Sequence, residues 1–265
     1  MKMFKFNFHS KNDIKNKVFW WEPVDGQQNA GDHLAKIIVQ QMLILKDKEM
    51  IDKVSAKNKL LSIGSVMHFA QDNDCIWGTG INGKIPAKNI KFSTLDVRSV
   101  RGPLTRNFLM SRGIPVPEVY GDPGLLLPLF FNRELLVDET KRKDLLIIPH
   151  MNEDFSRYSA YKDNLCSPRQ GAISFTTEIV NSGFVISSSL HGIIIAEAYG
   201  IPAIFLNSNS GESIFKYNDY YNGTYREAYP IAKTIEEAFK LNPLPTFDFS
   251  NIQKGLINSF PYDLW

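Results

Sequence analysis

The segment from Phe184 to Pro202 carries the clearest chemistry in the chain. An apolar strand ends at Ile186, Ser187 to Ser189 occupy the cap of a helix, and Gly200 with Pro202 closes that helix. His191 therefore falls in the first helical turn, where unpaired N–H groups and the positive end of the macrodipole favour a phosphate or carboxylate. Ser188, Ser189 and Leu190 would offer the anion backbone and hydroxyl groups, and His191 would offer it a proton. Further polar residues gather where other apolar runs stop. Gly64, Ser65 and His68 follow Leu60 to Ile63, and Gly78, Thr79 and Gly80 follow Cys75 to Trp77. Arg98 and Arg101 precede Gly102 and Pro103, His150 follows Leu145 to Ile148 and Pro149, and Gly31, Asp32 and His33 open an amphipathic run. Asp122, between Gly121 and Pro123, reads as a turn residue. Arginines, imidazoles and helix N-termini in this mixture predict a small anionic substrate.

Two familiar chemistries are missing. Gly78-Thr79-Gly80 is not a full dinucleotide fingerprint, and no GxxxxGK[ST] phosphate loop is present. Cys75 and Cys166 stand alone, without CxxC spacing, and there is no HExxH, so neither a metal nor a disulfide framework is expected.

The elements that must position these residues alternate. Apolar runs at Val18–Trp21, Leu60–Ile63, Cys75–Trp77, Leu95–Val97, Val119–Tyr120, Leu145–Ile148, Val185–Ser187 and Ala203–Leu206 read as buried strands. Leu34, Ile37, Ile38, Met42 and Leu45 have helical spacing behind an Asp32 cap, and Pro103 sits at the favoured first position of another helix. The fold class predicted is α/β: two doubly wound, Rossmann-like lobes facing a central cleft lined by the C-terminal ends of their strands. Residues 1–131 would form the N-terminal, acceptor-side lobe, 132–143 a charged linker, and 144–245 the C-terminal, donor-side lobe. Residues 246–265 would form an aromatic tail packing back on the first lobe.

The 265 residues are 43% hydrophobic and 22% charged, the composition of a soluble globular protein of two-lobe size. A net charge of +2 with only short basic runs gives no indication of nucleic acid binding. Met1 to His9 lacks an apolar core and a cleavage site, so no signal peptide is expected, and Phe184–Leu206 holds His191, Glu197 and Pro202, which disqualifies it as a membrane span. The expected compartment is the cytoplasm.

Taken in order, Ile63-Gly64-Ser65 with His68, Trp77-Gly78-Thr79-Gly80, Val100-Arg101-Gly102-Pro103 with Thr105 and Arg106, Gly121-Asp122-Pro123, Ile148-Pro149-His150 and Ser188-Ser189-Leu190-His191-Gly192 resemble the bacterial polysaccharide pyruvyl transferases. The likeness continues into Lys216 to Tyr221 and Phe260-Pro261-Tyr262. It implies a fold like the two-lobed glycosyltransferases of the B type, with phosphoenolpyruvate as co-substrate, no cofactor, and a saccharide acceptor, lipid-linked or free, that would bring the protein to the inner face of the cytoplasmic membrane. His191 and Arg101 would be the catalytic pair, with Arg98, Ser188, Ser189, Leu190, Gly64, Ser65, His68, Gly80, Asp32, His33, His150 and Lys216 binding substrate. Arg101, with Arg98, would hold the donor's carboxylate or phosphate while His191 protonates its C3 carbon. Asp32, His33 and His68 all remain candidates for the base, and Tyr217, Tyr220, Tyr221 and Tyr225 for stacking on a sugar. Rival readings are a nucleotide-sugar glycosyltransferase of the same architecture and a non-catalytic sugar-binding relative.

Overall fold

A computed structural model describes residues 18–49, 58–208 and 210–265; the first nine residues, expected not to be a signal peptide, lie outside them. Two four-stranded parallel sheets organise the chain. The first holds β1 (Val18–Phe19), β2 (Leu60–Leu61), β3 (Cys75–Trp77) and β4 (Asp96–Ser99) in that order. The second holds β5 (Leu146–Ile148), β6 (Val185–Ser187), β7 (Ala203–Leu206) and β8 (Ile231–Ala232). The longer helices are α1 (Ala30–Ile44), α2 (Pro103–Ser111), α3 (Ala172–Val180), α4 (Leu190–Ala198), α5 (Phe215–Gly223) and α6 (Ser250–Asn258).

Apart from β4, whose Asp96 and Arg98 pair with each other, the strands are mainly apolar because both faces of each sheet are covered. In β5, Leu146 and Ile148 enter one core and Ile147 another; in β7, Ala203 and Phe205 part from Ile204 and Leu206 in the same way. The first sheet repeats this, with Leu60, Cys75 and Trp77 on one side and Leu61 and Ile76 on the other. One of these cores is common to both sheets. Leu34 and Ile38 of α1, Leu125 to Leu127, Phe175 of α3 and Ile193 to Ile195 of α4 all belong to it. The lobes are therefore joined through shared apolar packing, and the expected cleft is confined to one end of the joint.

In the second sheet, Ile147 bridges Leu165 on the edge of β5 opposite β6. The chain thus adds first to one edge of β5 and then, with β6, to the other, which makes a topological switch point where α/β folds bind ligands. The described strands of the first sheet follow one another in sequence order without a reversal. The chain from α6 onward returns to the first lobe. The Trp77 indole N–H donates to Leu256 O at 2.9 Å, Phe260 meets Trp77 edge-on at 4.9 Å, and the Tyr262 hydroxyl donates to Met42 O at 2.9 Å.

Candidate functional site

A cavity of about 350 Å³ opens where the C-terminal ends of both sheets meet. From the first lobe come Asn29, Asp32, Ser65, His68 and Lys84; from the second come His150, Ser189, Leu190, His191, Glu212 and Lys216. A larger hollow of about 420 Å³ lies along residues 133–142, but Arg133, Glu134, Glu139 and Arg142 in its wall are exposed and no strand end opens into it.

His191 occupies the second position of α4, whose N-cap is Ser189. The cap is built by a neighbour: Ser187 Oγ accepts from Ser189 N at 3.0 Å and donates to Ser189 O at 2.8 Å. The His191 Nε2 atom lies 3.7 Å from Asp122 Oδ2, across the seam between the lobes. Neither atom has a hydrogen-bond partner among the described residues, although both are buried. Asp122 Oδ1 is fixed by Gly124 N at 2.9 Å, so the free oxygen faces the imidazole. A histidine aligned by a carboxylate at a helix N-terminus can both steady an anion and pass it a proton.

Asp32 lines the cavity from the first lobe. It is not the cap of α1: Asn29 is, accepting from Gly31 N at 3.1 Å, and it also donates to Asp32 Oδ2 at 2.7 Å. Burial pushes the Asp32 carboxyl up to about 6 against the pull of His191 and Lys216. That value suits a group that exchanges protons near neutral pH. Burial also lowers His68, and it lowers His150 to about 4 with help from the Lys216 charge, so His150 is neutral in the folded protein. Burial alone would raise Glu212, but the Lys216 and Lys84 ammonium groups outweigh it and hold Glu212 down to about 2.

Several residues expected at the site lie elsewhere. Arg101 is fully buried and does not line the cavity. Its guanidinium is taken by Asp219 of α5 at 3.1 Å, Ile81 O at 2.6 Å and Ser65 Oγ at 2.6 Å, leaving no free fork for a substrate carboxylate. Asp219 in turn accepts from the Thr105 N–H at 2.9 Å and hydroxyl at 2.7 Å, which ties the start of α2 to the second lobe. Arg101 touches the cavity only through Ser65. Arg98 pairs with Asp96 at 2.6 Å and Asp263 at 2.7 Å and faces the C-terminal tail. Gly80 provides room for Arg101, since a Cβ there would lie 2.5 Å from the guanidinium carbon, and Gly64, at φ +93°, backs Asp32 in the same manner. Ser188 braces β5 by accepting from His150 N at 2.8 Å and bonding Glu153. His33 faces Trp20 edge-on with ring centres 6.4 Å apart, outside the cavity wall.

Tyr217, Tyr220 and Tyr221 are buried, which removes them as sugar platforms. Tyr217 stacks on Phe205 at 3.8 Å and donates to Ser188 O at 2.6 Å, while Tyr220 and Tyr221 bond Glu197. Tyr225 is exposed and does not line the cavity. Asp122, Asn29, Lys84 and Glu212 are site residues that sequence reasoning misses. Asn29 has a recognisable signal, an N-cap residue type just before an apolar helix; Lys84 and Glu212 sit in loops without any periodicity. Among the described residues no group of three or more His, Cys, Asp or Glu could hold a metal ion, and no helix is long and apolar enough to cross a membrane.

The chain is similar in sequence to known proteins. The succinoglycan biosynthesis protein ExoV of Rhizobium meliloti (strain 1021) is 26% identical over 240 residues, covering 84% of this chain and 71% of ExoV. An uncharacterized protein, L143, of Acanthamoeba polyphaga mimivirus is 24% identical over 253 residues, covering 86% of this chain and 83% of its own length. No solved structure matches the chain. A family model described as polysaccharide pyruvyl transferase matches residues 29–210. That span covers well over half of the chain and takes in Asn29, Asp32, Asp122 and His191 alike, so the chain belongs to the polysaccharide pyruvyl transferase family.

Proposed function

We propose that the protein transfers pyruvate from phosphoenolpyruvate to two hydroxyls of one sugar, in a bacterial polysaccharide or its lipid-linked precursor, forming a ketal and releasing phosphate. One observation carries this reading: a lysine-bearing cavity at the strand ends of both lobes, lined by His191 from one lobe and Asp32 from the other. Phosphoenolpyruvate carries up to about three negative charges, which the α4 N-terminus and the lysines are suited to hold. His191 gives a proton to C3 of the enol, leaving positive character at C2. A sugar hydroxyl attacks C2 as Asp32 takes its proton; the C2–O bond to phosphate then breaks, the phosphate leaving with the proton from Asp32, and a second hydroxyl of the same sugar closes the ring as its proton returns to His191.

Asp122 is a positioning residue that aligns His191, and Arg101 another that holds Ser65 in the wall. The order of roles differs from the sequence expectation, in which Arg101 grips the donor. Of the three candidate bases, Asp32 is favoured over His33 by its place in the cavity wall and over His68 by its raised affinity for protons. The reaction needs no cofactor, and a cytosolic donor places it in the cytoplasm, at the inner membrane face where the acceptor is lipid-linked. A relation to B-type glycosyltransferases is consistent with the two parallel sheets meeting at their C-terminal edges.

The test is incubation with phosphoenolpyruvate and a panel of synthetic and lipid-linked glycosides, read by mass. The expected product is heavier than the acceptor by one pyruvate less water. Transfer of a sugar from a nucleotide sugar, with phosphoenolpyruvate inert, would replace this reading with the glycosyltransferase one.

A further inference from the structure

At one end of the cavity a single carboxylate holds two ammonium groups from opposite lobes. Lys84, in the loop after β3, contacts Glu212 Oε1, and Lys216, in the first turn of α5, contacts Glu212 Oε2 at 2.6 Å. The imidazole of His150 lies 3.7 Å from the same carboxylate. Lys216 and Glu212 are almost completely buried, with side chains 7% and 8% exposed, whereas Lys84 is 41% exposed. All four line the cavity, but Glu212 contributes nothing to the proposed chemistry.

A buried lysine requires an anion beside it, because an uncompensated charge in the interior is strongly unfavourable. It does not require that the anion belong to the protein. A phosphoryl group offers three oxygens and close to two negative charges, so it satisfies two ammonium groups better than one carboxylate does.

We propose that Lys84 and Lys216 form the seat for a phosphoryl group and that Glu212 occupies this seat until a phosphate-bearing ligand displaces it. The inference rests on the reading that the donor is a phosphate ester. It deepens that reading by giving the phosphate to the lysine pair and leaving the donor's carboxylate to the first turn of α4. Because one lysine comes from each lobe, exchanging Glu212 for phosphate keeps the seam bridged throughout. Release of inorganic phosphate lets Glu212 return.

The test is calorimetric titration of the full chain with inorganic phosphate, comparing wild type with Glu212→Gln. Removing the competing charge should tighten phosphate binding about 5- to 10-fold, the size expected for one charge-assisted contact. Lys84→Met should weaken it by a similar factor. A fold-preserving Glu212→Gln that weakens phosphate binding, or leaves it within about twofold of wild type, overturns the proposal. Where Glu212→Gln does not fold, Glu212→Asp takes its place: the shorter side chain cannot span both lysines, and phosphate should again bind more tightly, with unchanged or weaker binding counting against the seat. Phosphoenolpyruvate is titrated alongside. Tighter phosphate binding with no binding of phosphoenolpyruvate leaves the seat standing and removes the donor reading; unaltered phosphate binding with firm phosphoenolpyruvate binding does the reverse.

Discussion

Asp32 is where burial and proton chemistry meet most directly. Its carboxyl is held at about 6 in the folded protein, above the ordinary 3.8, so the native state retains a proton that the unfolded chain gives up between these values. Native stability from this group is therefore greatest below about pH 4 and declines as pH rises toward 6. Asp32→Asn removes that penalty. The variant should gain stability over wild type as pH rises from 4 to 6, reaching a plateau of at most about 3 kcal/mol above pH 6, measured by urea unfolding across pH. A difference independent of pH would show that Asp32 is not the titrating group. The same substitution should abolish the limb of kcat/KM that rises through about pH 6, because the base is gone.

Arg101 and Asp219 belong to the scale of elements. Their pair, with Thr105, fastens α2 of one lobe to α5 of the other, and a Cβ on Gly102 would lie 1.8 Å from Asp219 O. Asp219→Ala strands a fully buried guanidinium and should cost about 3 to 5 kcal/mol in chemical denaturation, with any remaining folded fraction still binding phosphate. A loss below about 1 kcal/mol would mean that water reaches the arginine and that the seam is looser than drawn here. This pair also marks where sequence reading fails. An arginine after a strand looks like a ligand-binding group when its partner lies 118 positions away and only the fold brings them together. The strands themselves are legible, since six of the eight fall within apolar runs whose alternate residues serve two cores, and β4, Asp96–Ser99, overlaps the run Leu95–Val97. The eighth, Ile231–Ala232, is not: two residues between Pro230 and Lys233 carry no period. The start of α1 is displaced for a related reason. Asn29 and Asp32 are both capping residue types, and the hydrogen bonds decide between them.

At the scale of the whole molecule, the shared core is the feature that composition could not reveal. Length predicts two lobes, and apolar periodicity predicts two sheets, but which sheet faces pack against the same helices depends on long-range contacts. Leu34, Phe175 and Ile193 are buried together across that boundary, so the protein should unfold as one unit. Tryptophan fluorescence, reporting Trp20, Trp21 and Trp77 of the first lobe and Trp265 of the tail packed on it, and far-ultraviolet circular dichroism, reporting both lobes, should give coincident midpoints. Two separate transitions would contradict the common core.

The same arrangement brings His191, from the second lobe, to Asp122 and Asp32 of the first, and the account turns on what that imidazole does. The most direct measurement is pyruvyl transfer from phosphoenolpyruvate in heavy water, with the product methyl group read by mass. Wild type should place one deuterium in that methyl, and His191→Ala should lose about 10²- to 10⁴-fold in rate while keeping its fold. A methyl without deuterium, or a folded His191→Ala that transfers pyruvate at the wild-type rate, would contradict the assignment of His191 as the acid.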